Sequence, residues 1–197
     1  MAYGFTALFA RMNYIDRWGL MRNTRKETLS EHSAMTACIA HILALIAKER
    51  FSADVRPETV AVAAVYHDIS ETLTGDMPTP VKYRDEEIRD SYKRVEKEAE
   101  KQVSGMLPED LSETMDLFVS GDILNERERK ILKSADKLSA LIKCIEEKRS
   151  GNTEFSSAEE ATINALSSFE LPELKAFMND FIPAHSATLD ELIKSTN

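Results

Sequence analysis

The sequence predicts an all-α protein, a bundle of about seven to nine helices, on three observations. Apolar residues recur at i, i+3, i+4 and i+7 through most of the chain, which draws a stripe down one helix face. No stretch alternates apolar and polar residues for more than a few positions, so no half-buried strand is encoded. Six glycines and six prolines in 197 residues are few, which suits long elements joined by few turns.

The elements follow in order. The opening run MAYGFTALFARMNYIDRW is mildly apolar and lacks both the basic start and the small-residue cleavage site of a signal peptide. A strong helix is predicted over Ser30–Arg50, with Met35, Cys38, Ile39, Ile42, Leu43 and Ile46 on one stripe. Thr28 and Glu31 stand ahead of it at capping-box spacing, and Ser30 is a further cap candidate. The next helix starts at Pro57, a favoured first-turn residue, and runs through Val60, Ala64 and His67 to about Leu73, where Gly75 can end it. Gly75-Asp76-Met77-Pro78-Thr79-Pro80 reads as an ordered loop, because two prolines flanking a threonine cannot continue a helix. A charged helix follows over Asp85–Gly105, with Ile88, Tyr92, Val95, Ala99 and Val103 on its stripe, and a short one comes after Pro108. Asn125 and Glu128 have cap spacing before a helix that carries Ile131, Leu132, Ala135, Leu138, Ile142 and Ile145 and ends near Gly151. Ser157 and Glu160 suggest another cap, and two short helices bracket Pro183. No repeat and no low-complexity linker divides the chain, so residues 1–197 are expected to form a single domain.

Charge and composition exclude several roles. A formal charge of -9 without a long basic tract argues against a nucleic-acid polymer as partner, since such affinity comes from neutralising phosphates. Arg17, Arg22, Arg25 and Lys26 form a local basic cluster, which is either a small-anion site or a solvated face. Cys38 and Cys144 lie in apolar helical patterns and read as small buried hydrophobes in a reducing compartment. No apolar stretch approaches the ~20 residues that span a bilayer, so no membrane partner is expected and the cytoplasm is the expected location.

The chemistry concentrates at four residues. His67 and Asp68 adjoin on an apolar helix, where ~100° between neighbours lets both reach one ion close to the helix surface. His32 opens another apolar helix, and Asp136 lies among Ile131, Leu132, Ala135 and Leu138, where an unpaired carboxylate is costly. Two imidazoles and two carboxylates suit a borderline divalent ion. Glu71, four residues after His67 and three after Asp68, shares their helix face.

This order of His, His-Asp and Asp resembles the metal signature of the HD-domain phosphohydrolase superfamily. The segments RWGLMRNTRKETLSEHS, YHDISETLTGDMPTPVKY and KSADKLSALIKCIEE are similar to those of the bacterial HD-domain 5'-deoxynucleotidases, over Phe9 to about Ile193. The resemblance implies a single HD domain with His32, His67, Asp68 and Asp136 as ligands of one divalent ion: cobalt, manganese, zinc or iron. Four protein ligands leave positions open for water and a phosphate oxygen. It further implies a 2'-deoxynucleoside 5'-monophosphate as small-molecule substrate, cleaved to deoxynucleoside and phosphate, and a homodimer. Glu71, Asp76 and Arg17 are then the catalytic residues, with Glu71 and Asp76 competing for the acid/base role. Arg17, Trp18, His32, Asp68, Asp76, Met77, Pro78, Thr79 and Asp136 are the implied substrate contacts, with Arg17 on the phosphate and Trp18 near the sugar. Lys143, almost two turns after Asp136, is expected either to reach phosphate or to be a solvated helix lysine, and His41 and His185 to be structural or exposed. No residue reads as a base-edge reader. Two alternatives stay open: another HD phosphohydrolase (a nucleoside triphosphate triphosphohydrolase, a phosphodiesterase or an alarmone hydrolase), separable by its product, and a non-catalytic nucleotide-binding module, separable by turnover.

Overall fold

A computed structural model describes residues 2–82 and 84–194; Tyr83, which closes one of the quoted segments, lies outside the described residues. Among the described residues eleven α-helical segments follow one another: α1 (Phe5–Ala10), α2 (Leu29–Phe51), α3 (Pro57–Tyr66), α4 (Glu71–Thr74), α5 (Thr79–Lys82), α6 (Glu86–Ser104), α7 (Glu109–Val119), α8 (Glu126–Arg149), α9 (Ser156–Ser167), α10 (Pro172–Asp180) and α11 (Leu189–Lys194). Short 3-10 turns cover Arg11–Tyr14, Thr153–Phe155 and Ile182–Ser186. Among the described residues the only extended pairing is an isolated antiparallel bridge between Asp16 and Thr28.

The long helices start where their caps dictate. Thr28 Oγ1 accepts from the Glu31 amide while Glu31 accepts from the Thr28 amide at 2.8 Å, and Asn125 with Glu128 repeats the box at 2.9 Å in both directions. Asp85 Oδ1 accepts from the Ile88 amide at 2.8 Å to open α6.

Four expectations need correction. The helix predicted from Pro57 to Leu73 breaks after Tyr66, because His67 Nδ1 donates to Ala64 O at 2.8 Å and takes the carbonyl that the Asp68 amide would have used. Tight turns replace it, with Ile69 N on Tyr66 O and Glu71 N on Asp68 O, both at 3.0 Å. Thr79–Lys82 forms one helical turn, since Pro80 falls in its first turn, where a missing N–H costs nothing. Ser157 is no cap: it lies inside α9, which continues directly from the 3-10 turn capped by Asn152. Cys38 is exposed and only Cys144 is buried, because α2 turns its alanine face (Ala40, Ala44, Ala47) to its neighbours and leaves Met35, Cys38 and Leu45 outside.

α2 is also long and apolar enough, by length and composition, to cross a membrane, contrary to the sequence expectation. Half of it is buried, and its inner face packs on α3, α8 and α10, the setting of a central core helix.

The buried apolar side chains form two clusters. The larger joins Ile39, Leu43 and Ile46 of α2 to Val60 and Ala64 of α3, Ile131 and Leu138 of α8, and Leu174 and Phe177 of α10. The smaller gathers Phe5, Leu8, Met12, Leu29, Ile69, Val103 and Val119. α2 runs from one cluster into the other, as does the segment from Ala64 to Ile69.

Candidate metal and substrate site

The seam between the clusters is where the polar residues collect. His32 follows Leu29 of the smaller cluster by three positions on α2 and is fully buried. His67 and Asp68 occupy the break between Ala64 and Ile69. α8 brings Asp136, one residue after the buried Ala135.

These four residues converge. Ligand atoms of His32, His67 and Asp68 lie within 4.8 Å of one another, and Asp136 Oδ1 stands 3.2 Å from His32 Nε2. Asp68 Oδ2 is 3.5 Å from His32 Nε2 and 3.0 Å from His67 Nε2. His67 Nδ1 must be the protonated nitrogen, since its partner is a carbonyl, so Nε2 presents a lone pair. That Nε2 is buried without a hydrogen-bond partner, and its 3.0 Å approach to Asp68 is off-line for one. Two acceptors aimed at a common space, rather than at each other, fit a cation between them. His32 Nδ1 is held by Ser139 Oγ at 3.0 Å, which likewise leaves Nε2 facing the carboxylates.

The electrostatics agree. Burial and then Arg17 push the His32 imidazole down, so it stays neutral. Burial works against charge on Asp68, but His67 and His32 hold its carboxyl down at about 2. Burial opposes Asp136 in the same way, and His32 and Lys137 keep it well below the usual range. Burial would lower His67, yet Asp68 and Asp136 raise it: the cluster attracts positive charge at that position. Glu71 behaves oppositely. Burial, then Asp68 and Asp76, push its carboxyl up to about 9, and its Oε2 is buried without a partner. Asp76 is raised too, chiefly by burial, with Arg17 opposing. Glu71 thus joins the cluster from the first turn of α4, past the helix break, not through a shared helix face.

A cavity of about 690 Å³ opens over Asp136. Arg17, Trp18, Asp76, Met77, Pro78 and Thr79 line it together with Asp136, whereas His32 and Asp68, also expected as substrate contacts, lie outside this lining. The rest of the lining was not foreseen: Ala158, Ala161, Thr162 and Ala165 of α9, with Leu20 and Met21. Small residues at i, i+3, i+4 and i+7 look like ordinary helix packing, so they carry no signal for a cavity. Glu27 was missed as well. Its Oε2 accepts from Arg17 Nη1 and from Trp18 Nε1, each at 2.9 Å, so one carboxylate fixes both side chains. Trp18 has φ 61°, a left-handed conformation unusual for a side chain of its size. Its ring tilts against Phe155 with centroids 5.3 Å apart.

The basic cluster disperses. Arg22 pairs with Glu154, Arg25 with Glu31 and Lys26 with Asp16, so of its members only Arg17 lines the cavity. Lys143 is neither solvated nor aimed at phosphate: it is buried, donating to Glu147 and to Arg25 O. His41 is half-buried on α2, and His185 lies in the 3-10 turn near the C-terminus, its pKa lowered by burial.

Comparison with known proteins places this geometry. A family model for YfbR-like 5'-deoxynucleotidases matches residues 4–185. The 5'-deoxynucleotidase VV1113 of Vibrio vulnificus is 45% identical over 188 residues, covering 95% of this chain and 97% of the relative. A 5'-deoxynucleotidase of Photobacterium profundum is 42% identical with the same coverage. Among solved structures, an HD-domain phosphohydrolase from Listeria innocua superposes with a TM-score of 0.82 at 23% identity, covering 98% of this chain and 94% of its own. A cyanophage S-2L HD phosphohydrolase, solved with dA and one catalytic zinc ion, superposes at 0.68 and 16% identity, covering 95% of this chain and all of its own. At those identities the two structures establish the fold.

Proposed function

Because the chain belongs to the YfbR-like 5'-deoxynucleotidase family, we propose that it hydrolyses 2'-deoxynucleoside 5'-monophosphates to the deoxynucleoside and inorganic phosphate. The observation that carries the reading is the junction of two sites. A cation-attracting cluster of His32, His67, Asp68 and Asp136 meets, through Asp136, a cavity whose wall holds Arg17 and Trp18. In this reading the four residues hold one divalent ion, which the orphaned His67 Nε2 fits. Zinc, cobalt, manganese and iron all suit two imidazoles and two carboxylates. When bound, the ion supplies Lewis acidity and charge neutralisation to the phosphoryl group.

The chain's own residues do the rest. Arg17, fixed by Glu27, presents a planar fork to the phosphate oxygens and offsets the Asp68, Asp76 and Asp136 charges that would repel them. Glu71 holds its proton at neutral pH, which removes one more negative charge from the phosphate's surroundings. The same proton is available to the 5' oxygen as its bond to phosphorus breaks, a leaving group too basic to depart as an alkoxide. Asp76, in the cavity wall, supports the charge of Arg17. Trp18 walls the sugar with its apolar ring, and Met77, Pro78 and Thr79 add to the lining of the same cavity. The α9 alanines offer a base no hydrogen-bond partner, which supports tolerance of different bases.

The proposal includes one domain over residues 1–197, a cytoplasmic location and a homodimer. Support for the dimer is the apolar surface that Met35 and Leu45 of α2 and Val62 of α3 leave exposed. A panel of deoxy- and ribonucleoside mono-, di- and triphosphates with several divalent metals tests the activity. Orthophosphate from deoxyribonucleoside monophosphates is the expected result. Triphosphate release, or turnover confined to cyclic nucleotides, would reassign the chain to another HD activity.

A further inference from the structure

We propose that Glu147 is a positioning residue for the substrate: its buried carboxylate, paired with Lys143, pins the loop that carries Arg17 and Trp18 against α8. This rests on the reading that Arg17 and Trp18 contact the nucleotide.

The loop between Asp16 and Thr28 has little core of its own. Its neck is closed by Arg17 N on Glu27 O and Leu29 N on Ile15 O, both at 2.9 Å. Beyond the neck Leu20 is 71% exposed and Met21 half-buried, and the apolar anchor, the Trp18 ring on Phe155, leaves the tip at Arg22–Arg25 to other groups. Polar groups fix it instead. Glu147, 1% exposed, accepts from Thr24 N and Thr24 Oγ1 at 2.8 Å each, and from Arg25 N at 3.3 Å. Lys143, 3% exposed, donates to Arg25 O and to Glu147 itself. Asn152 completes the set, donating to Glu147 at 2.8 Å and to Arg22 O at 2.7 Å. Four backbone groups between Arg22 and Arg25 therefore end on one end of α8 and the turn after it.

The connection to the cavity is direct. Lys143 Nζ lies 5.7 Å from the Phe155 ring centre, and the same buried ring packs on Trp18. A buried ion pair is weak as a source of stability, because desolvation consumes most of its attraction, but it is strict about geometry. A carboxylate that collects five donors allows the loop one register. Converting it to an amide turns an NH₂ group toward donors that need an acceptor, and leaves the Lys143 charge without its partner.

The experiment uses the full chain with metal bound. Trp18 is the single tryptophan, so its fluorescence reports on this loop alone. In Glu147→Gln the emission should shift to the red and acrylamide should quench it more strongly, with far-UV helicity and metal content unchanged. KM for a deoxynucleoside 5'-monophosphate should rise ~10-fold, the effect of losing a hydrogen bond to a charged group, with a smaller change in kcat. The deoxy-to-ribo ratio of kcat/KM should narrow. Thr24→Val leaves the α8 pair intact and should move each readout the same way by less, so it decides the matter if Glu147→Gln does not fold. Wild-type emission, quenching and KM in the folded variants would overturn the proposal. So would a fall in kcat alone at constant sugar ratio, the mark of a structural role. Arg17→Ala and Trp18→Ala separate the premise: if both are kinetically silent, the loop does not bind substrate and Glu147 positions nothing, whatever the fluorescence shows.

Discussion

A carboxylic acid that keeps its proton at neutral pH is an expense to the fold, and Glu71 is such a group. Its folded pKa of about 9 stands above the ~4.3 of an unfolded chain, so the folded state binds a proton that the unfolded state has released. Stability is undiminished below the unfolded value and falls as pH rises from there toward 9. Glu71→Gln, which keeps the shape and needs no proton, should stabilise the metal-free protein at pH 7 by on the order of 1–3 kcal/mol and flatten this slope. The same variant should turn over at least ~100-fold more slowly with metal and substrate bound. Urea unfolding across pH, paired with single-turnover rates, checks both. A destabilised variant, or near-normal turnover, would move the proton role to Asp76. The four residues of the proposed metal cluster were conspicuous in the sequence because charged and imidazole side chains stand out at apolar helical positions. Glu27 was not, since a glutamate beside arginines and lysines looks like surface, and its role depends on a loop closing back on itself.

Helix caps show how far spacing alone carries. Both capping boxes could be read from residues three apart, and both form. What spacing could not show is that they differ in worth. Glu31 is partly exposed, and its box saves only amides that water could otherwise reach. Glu128 is fully buried: besides its cap duties it accepts from Arg56 N at 2.8 Å, Arg56 Nε at 2.9 Å and Arg56 Nη2 at 2.6 Å, stitching α8 to the start of α3. Glu128→Ala should therefore cost about 3 kcal/mol, against about 1 kcal/mol for Glu31→Ala. Equal midpoints for the two in urea would show that the Arg56 link contributes nothing. The break after Tyr66 was hidden for a related reason. A periodic pattern continues through His67, and the break follows from an imidazole hydrogen bond to Ala64 O that no local pattern encodes. Periodicity likewise counted Met35 and Cys38 as core, because it weighs large apolar residues above the alanines that α2 actually buries.

At the scale of the molecule, the site lies on the seam between two apolar clusters, with His32 on α2, His67 and Asp68 in the break after α3, and Asp136 on α8. An ion held there by the proposed ligands would cross-link three segments: α2, the break after α3, and α8. Removing it should loosen the whole domain rather than one loop: chelation is expected to lower Tm by about 5–10 °C, and Asp68→Ala to abolish the difference between metal-loaded and stripped protein. Scanning calorimetry with and without divalent ion decides this, and identical transitions in the wild type would detach the cluster from metal binding. The same seam bears on how the chain assembles as it is synthesised. The smaller cluster draws only on residues between Phe5 and Val119, so every side chain it needs is present early. The larger waits for α8 and α10, and with α8 arrives Asp136, the last of the four. A nascent chain bearing His32, His67 and Asp68 has three of the groups but not the wall that holds them together. The proposed metal centre is thus a late product of folding, completed when the second half of the polypeptide closes over the first.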